Sequence, residues 1–219
     1  MSTGLNSGPG LCRGGARLLL RPVQAVIELG AAGDVMMAAL TAVHQANRSG
    51  PADDYIATAL PGMTMGRNCM LPGREVELIG SEAALARLLR AEPVERLLRR
   101  GMIPAPEIGA VFAAPGETGA SWSRDRASEK HTPGWIRRSQ ARAARRGKDP
   151  GQPVTPRGHD PAALTLHIGS TILHVRMQHG VIGEAPMLVG TYGFSPAGAP
   201  VVLPVLPDAA LAQAGFDAA

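Results

Sequence analysis

Aromatic side chains are scarce in this chain: two Trp, two Tyr and three Phe among 219 residues. Cysteine is scarcer still. Cys12 and Cys69 are too few for a disulfide framework or a four-thiolate zinc site, and no Cys-x-x-Cys pair exists. A disulfide-stapled secreted scaffold and a structural metal therefore lose their support. No apolar stretch approaches the ~18 residues that cross a bilayer, because "ARLLLRPVQAVIEL" is broken by Arg21 and Pro22. The expectation is a cytoplasmic protein with no membrane contact. Lysine is nearly missing, with Lys130 and Lys148 the only two among 22 basic residues. At 22.7 kDa the chain suffices for one large domain or two small ones with modest cores.

The net charge of +4 hides a local asymmetry. Residues 121 to 150 hold nine basic and three acidic side chains, whereas the rest of the chain holds 13 basic and 15 acidic ones. The basic character thus belongs to a single element. Arginine's planar fork suits phosphate and guanine better than an ammonium does.

Along the chain, residues 1–22 read as a flexible tail, Gly-, Ser- and Pro-rich over its first sixteen residues. "VQAVIEL" (Val23 to Leu29) predicts a strand, and Asp34 an N-cap for a helix reaching about Arg48. Tyr55 to Gly62 and Arg74 to Gly80 predict two strands. Ser81 caps a second helix with Leu85, Leu88 and Leu89 on its buried face, interrupted at Pro93 and extended by "VERLLRR". Glu107 to Ala114 predicts a fourth strand. The order strand, helix, strand, strand, helix, strand is that of a ferredoxin-like βαββαβ domain over residues 23–114, an arrangement that serves many functions and names none. Residues 115–219 differ in kind: a polar stretch from Pro115 to Pro133, a helix over 134–147, a link over 148–161, a hairpin in "ALTLHIGSTILHVRMQHG" turning at Gly169 and Ser170, and a Gly- and Pro-punctuated segment. The expected fold class is α+β: the ferredoxin-like domain plus a C-terminal domain with an arginine-rich helix and a β-hairpin.

At 100° per residue, Arg138, Arg142, Arg145 and Arg146 fall within an arc of about 100°, with Arg137 projecting to one side. A solvated helix face is the ordinary explanation of such a stripe. This one has almost no acidic partner at i+3 or i+4, so its self-repulsion is uncompensated unless an anion binds. Against phosphates it would release counterions and make affinity steeply salt dependent. A regular A-form major groove is too narrow for a helix, which leaves a short RNA hairpin as the favoured ligand.

Taken together, these features resemble the repeat-processing endoribonuclease of type I-F CRISPR systems, which cuts precursor CRISPR RNA beside a hairpin. The resemblance spans most of residues 23 to 204. "AVHQA" (Ala42 to Ala46) is similar to the family's helix carrying the active-site histidine, and "LPG…GREVELIGSEAALARLL" to its second and third strands and second helix. "SRDRASEKHTPGWIRRSQARAARRG" is similar to its loop and arginine-rich helix, "TLHIGSTILHVRMQHG" to its second hairpin, and "TYGFSPAGAP" to its C-terminal tyrosine segment. Five matches in one order carry more weight than any alone.

The resemblance implies metal-independent cleavage with no cofactor. A histidine helps deprotonate the ribose 2′-hydroxyl, which attacks the adjacent phosphorus and expels the 5′-oxygen, leaving a 2′,3′-cyclic phosphate and a 5′-hydroxyl. The matching position is His44, and a pKa near ~6.5 leaves neutral base available at cellular pH. The competing role is an ordinary structural histidine. Ser170 matches the serine that holds the ribose hydroxyl, with a plain turn serine as its alternative. Tyr192 matches the supporting tyrosine, with packing as its alternative. Arg124 and Arg126 match a loop that reads purine edges, and an Arg at the second position favours guanine; surface solubility is the alternative for both. His167 and His174 are further candidate RNA contacts, and Leu173 or His174 stands where the family has a stacking ring. No carboxylate pair or His/Cys/Asp cluster has metal-ligand spacing.

The implied partners are a CRISPR repeat RNA hairpin and the other subunits of the type I-F surveillance complex (Cascade), in which the enzyme keeps its product. Two other readings stay open: a non-cleaving RNA-hairpin-binding structural subunit with His44 idle, and a ferredoxin-like fold that binds RNA in an unrelated ribonucleoprotein.

Overall fold

The computed structural model describes residues 5–111, 114–126, 128, 133–147 and 160–204. The first half is a four-stranded antiparallel sheet made of β2 (Ala16–Leu20), β3 (Ala57–Ala59), β6 (Val76–Gly80) and β7 (Ile108–Ala110), in the order β3-β6-β2-β7. Between β2 and β3 the chain forms α1 (Gln24–Glu28) and α2 (Ala32–Ser49). Between β6 and β7 it forms α3 (Glu82–Leu89) and α4 (Glu92–Arg99). Ser81 caps α3 as expected, its Oγ accepting from Ala84 N at 3.0 Å, and Pro93 sits in the first turn of α4, where no amide donor is needed.

The N-terminal boundary is corrected. The segment expected as a flexible tail contains β1 (Gly10–Cys12) and β2, while Val23–Leu29, expected as the first strand, contains α1 and ends at Gly30 with φ +72°. The reason lies in "ARLLL": Ala16, Leu18 and Leu20 are buried, while Arg17 and Leu19 alternate with them on the partly exposed side, a period of two ended by Pro22. In Val23–Leu29 only Val26 is well buried, and Leu29 is 82% exposed. Asp34, expected as the N-cap of α2, lies inside its first turn instead, with Ala31 at the cap.

The second half holds another four-stranded sheet, built from β8 (Thr118–Arg124), β9 (Leu164–Ile168), β10 (Thr171–Val181) and β12 (Ser195–Pro196) in the order β12-β8-β10-β9. The expected hairpin is β9–β10, with Gly169 at φ +57° in its turn. β8 lies inside the stretch expected as polar and irregular. Its small residues conceal a strand buried on both faces, with Ala120 and Trp122 on one and Ser121 and Ser123 on the other. A two-stranded ribbon of β1 with β11 (Met187–Val189) ties the start of the chain to its last third, and β4 (Thr64–Met65) pairs with β5 (Met70–Leu71). The arginine-rich helix, α5, spans Pro133–Arg145, and none of its residues is buried. Most of the expected link, residues 148–159, lies outside the described residues.

The buried apolar residues of both sheets belong to one continuous cluster, running from Cys12 through Leu78 and Trp122 to Leu203. Among the described residues no helix is long and apolar enough to cross a membrane.

Candidate active site and basic surface

His44 stands on α2 at the margin of its buried stripe, beside Leu40, Val43 and Asn47, and is itself half-buried. Its ring stacks on that of Tyr192, with centroids 4.1 Å apart and planes inclined by 10°. Two sequence-predicted site residues 148 positions apart (192 − 44) are thus in face-to-face contact. The His44 Nδ1 is shielded from solvent and has no hydrogen-bond partner among the described residues. Protonation would place an N–H on both ring nitrogens, one of them where nothing accepts it. Burial first, then the positive charges of Arg48 and Arg124, hold the His44 pKa below the ordinary histidine value. Both effects favour the neutral imidazole that proton abstraction requires.

The Tyr192 turn is held by its backbone. Thr58 N donates to Gly193 O at 3.0 Å and Thr58 Oγ1 to Tyr192 O at 3.0 Å, so the turn covers the otherwise open edge of β3. Gly193 has φ +80°, and a Cβ there would lie 2.2 Å from Thr58 Oγ1; only glycine fits. Asn47, fully buried one turn beyond His44, completes the junction. Its Oδ1 accepts from Ile56 N at 2.8 Å, and its Nδ2 donates to Ile56 O at 3.0 Å and Thr191 O at 3.3 Å. One amide therefore joins the histidine helix, the start of β3 and the tyrosine turn. Asn47, Thr58 and Gly193 escape sequence reasoning, although a polar Asn inside the apolar stripe of α2 was a usable signal.

Arg124 ends β8 opposite Val175 of β10, on the strand face where Trp122 is buried. Together with exposed Arg126 and Tyr192 it lines a cleft of about 470 Å³. Asp125, between the two arginines, points to the other face. Its backbone N donates to His174 O at 2.7 Å; its carboxylate accepts from Ser128 N at 3.2 Å, Ser128 Oγ at 2.7 Å and Arg176 Nε at 2.8 Å. Arg176 also reaches Asp160. Partial burial alone would raise the Asp125 pKa, but the hydrogen bonds from Ser128 and Arg176 outweigh it and hold it at about 2. No sequence pattern signals this clamp, because Asp125, Asp160 and Arg176 become neighbours only through β8–β10 pairing.

Arg137, Arg138, Arg142, Arg145 and Arg146 are all exposed on or just beyond α5, and among the described residues none is ion-paired to a carboxylate. Ser170 is less well matched. It lies exposed in the β9–β10 turn and, among the described residues, makes no hydrogen bond to His44 or Tyr192. The hairpin also corrects two expectations. Leu173 is fully buried and His174 is 7% exposed, with Nδ1 3.2 Å from Thr165 Oγ1, so neither presents a stacking or RNA-contacting surface. His167 and its cross-strand partner Ile172 are the exposed pair. A second cleft of about 520 Å³, between Leu11–Arg13 and Val181–Gly183, contains none of the candidate residues.

Neither the protein-family models nor the curated proteins compared with this chain match it.

Proposed function

We propose that this chain is a metal-independent endoribonuclease that cleaves precursor CRISPR RNA at the base of the repeat hairpin. On this reading it remains on the mature guide RNA as a subunit of the type I-F surveillance complex. The observation that carries the reading is the His44–Tyr192 stack, since the resemblance assigns a base and a supporting tyrosine to these two positions. The first sheet supports the finer fold reading: the order β7-β2-β6-β3, all antiparallel, with helices between β2 and β3 and between β6 and β7, is the strand order of a ferredoxin-like unit.

His44 takes the proton of the ribose 2′-hydroxyl as that oxygen attacks phosphorus. The P–O5′ bond breaks, and the departing 5′-oxygen receives a proton, giving a 2′,3′-cyclic phosphate and a 5′-hydroxyl. Tyr192 fixes the plane of the imidazole, and Arg124 places positive charge near the phosphorane oxygens. Arginines of α5 grip the stem phosphates. The exposure of Ser170, without a hydrogen bond to His44 or Tyr192 among the described residues, favours a second reading, a hairpin-binding subunit that does not cut. Repeat RNA from the same locus, incubated with the protein in EDTA and followed by end-group analysis, separates the two. The expected result is cyclic-phosphate ends that vanish in His44→Ala while hairpin affinity changes less than about threefold; cleavage surviving in that variant removes His44 as the base.

A further inference from the structure

The cleft beside Tyr192 has a Gly- and Pro-lined wall that stem binding and proton transfer do not use. Tyr192 stacks on His44 and also lines the cleft, so a ligand there lies one ring away from the imidazole. Arg124 and Arg126 supply two guanidinium groups, while the Asp125 carboxylate between them is directed to Ser128 and Arg176. The remaining wall is short-chained, with Gly8, Pro9, Gly190 and Gly198 among its residues, leaving backbone surface on which a flat ring can lie.

That wall is anchored to the helix that carries His44. Asn6 Nδ2 donates to Asn47 O at 3.1 Å and Gly50 O at 2.7 Å, and Asn6 N donates to Arg48 O at 2.9 Å. Tyr55 OH then donates to Gly8 O at 3.4 Å. The segment expected to be a tail is thus strapped across the C-terminal end of α2, and the cleft it borders is built before any ligand arrives. Its volume lies within the range of roughly 300–1,000 Å³ typical of small-ligand sites, enough for one nucleotide.

We infer that this cleft is a subsite for the single-stranded ribonucleotide on the leaving side of the scissile phosphate, with its flanking phosphates against Arg124 and Arg126 and its base on the Gly- and Pro-lined wall. The inference rests on the reading of the chain as a hairpin-cutting ribonuclease. In that reaction the 5′-oxygen departs with the downstream nucleotide, and holding this nucleotide fixes the in-line direction of the P–O5′ bond. Stem recognition falls to α5, so the two halves of the substrate are gripped by different parts of the protein.

The test uses the unsubstituted full chain and repeat RNAs carrying a 2′-deoxy sugar at the cut nucleotide, which removes the nucleophile and leaves the protein intact. Affinities are compared for a hairpin ending at the cut nucleotide and for the same hairpin extended by one and by two leaving-side nucleotides. One added nucleotide is expected to tighten binding about tenfold, as for one stacked base with its phosphate, the second adding less than twofold. An equal extension on the 5′ side should give no such gain. In Gly198→Trp, where a new Cβ would meet nothing within 4 Å, the gain should fall below twofold while affinity for the unextended hairpin is kept. Independently, a 4-thiouridine at the first leaving-side position should photocrosslink to peptides containing residues 6–9 or 190–198. Equal affinities with and without the extension, a gain that persists in Gly198→Trp, or crosslinks confined to other peptides would overturn the subsite. If the hairpin is bound and cut but the gain is missing, the subsite alone fails; if the hairpin is not bound at all, the ribonuclease reading fails and the subsite falls with it.

Discussion

Replacing Asn47 with Ala should cost far more than an ordinary helix substitution, and the cost can be worked from three contacts. Ile56 N loses its 2.8 Å bond to Oδ1, Ile56 O its 3.0 Å bond from Nδ2, and Thr191 O a longer bond of 3.3 Å. Asn47 is fully buried, so solvent does not readily replace these partners. An orphaned buried amide or carbonyl costs about 1–3 kcal/mol. Carbonyls tolerate loss better than N–H groups, and the 3.3 Å bond contributes least, so a total of about 2–4 kcal/mol is expected. Against a native stability of roughly 5–15 kcal/mol this is a large fraction. In urea, with a slope of about 2 kcal/mol per molar, the midpoint should fall by about 1–2 M at unchanged slope. Asn47→Asp keeps the acceptor for Ile56 N but turns a carboxylate oxygen toward two carbonyls, so it should be no milder. On the proposed ribonuclease reading, cleavage by whatever folded variant remains should also drop, because the Tyr192 turn loses its tie to the histidine helix. A loss below about 0.5 kcal/mol by urea titration would refute the idea that this amide holds the junction together.

The remaining expectations concern charge. His44 has a folded pKa below its unfolded value, so folding favours its neutral form: stability from this group is full above the unfolded value near ~6.5 and declines as pH falls toward the folded pKa. On the proposed ribonuclease reading, the acid limb of the cleavage profile should accordingly lie below ~6.5, and Arg48→Gln should move it upward; an unmoved limb in a pH–rate series would show that Arg48 exerts no field on the imidazole. Asp125 is depressed to about 2 from 3.8, so its contribution, up to about 2 kcal/mol, is present above pH 3.8 and disappears as pH falls through 2. Asp125→Asn should remove that part of acid unfolding, as followed by circular dichroism, and a profile unchanged between the two proteins would contradict the assignment. The double change Arg142→Ala with Arg145→Ala should weaken hairpin binding and reduce the steepness of log affinity against log salt by roughly 1–2; an unaltered slope would mean that the stripe is only solvated.

Local signals were legible where one residue type dictates the backbone. Ser81 and Pro93 set helix starts, and Gly169 sets a hairpin turn, each through neighbours a few positions away. The pairing of His44 with Tyr192 was reachable only through resemblance, because no periodicity links the two. The first strand is ambiguous in the sequence because "VQAVIEL" and "ARLLL" are both short and apolar, and only tertiary burial chooses between them. β8 escapes a sequence reading because Ser, Gly and Ala carry no strand signature by themselves, and its backbone partners, β10 and β12, lie far along the chain. The Asp125–Arg176–Asp160 clamp and the strap at Asn6 depend on cross-chain register, which composition does not encode.

The junction between Asn47 and Thr191 bridges 144 positions. While a ribosome is still extending the chain, the imidazole emerges long before the phenol that is to face it, and the strand edge that the phenol's turn will cover stays bare in the interval. Nuclease competence on the proposed reading is therefore a late event in synthesis, arriving only once the segment around Tyr192 has followed His44 out of the tunnel. An unfinished translation product would carry the arginines without the assembled reaction centre: it could hold transcripts and not cut them.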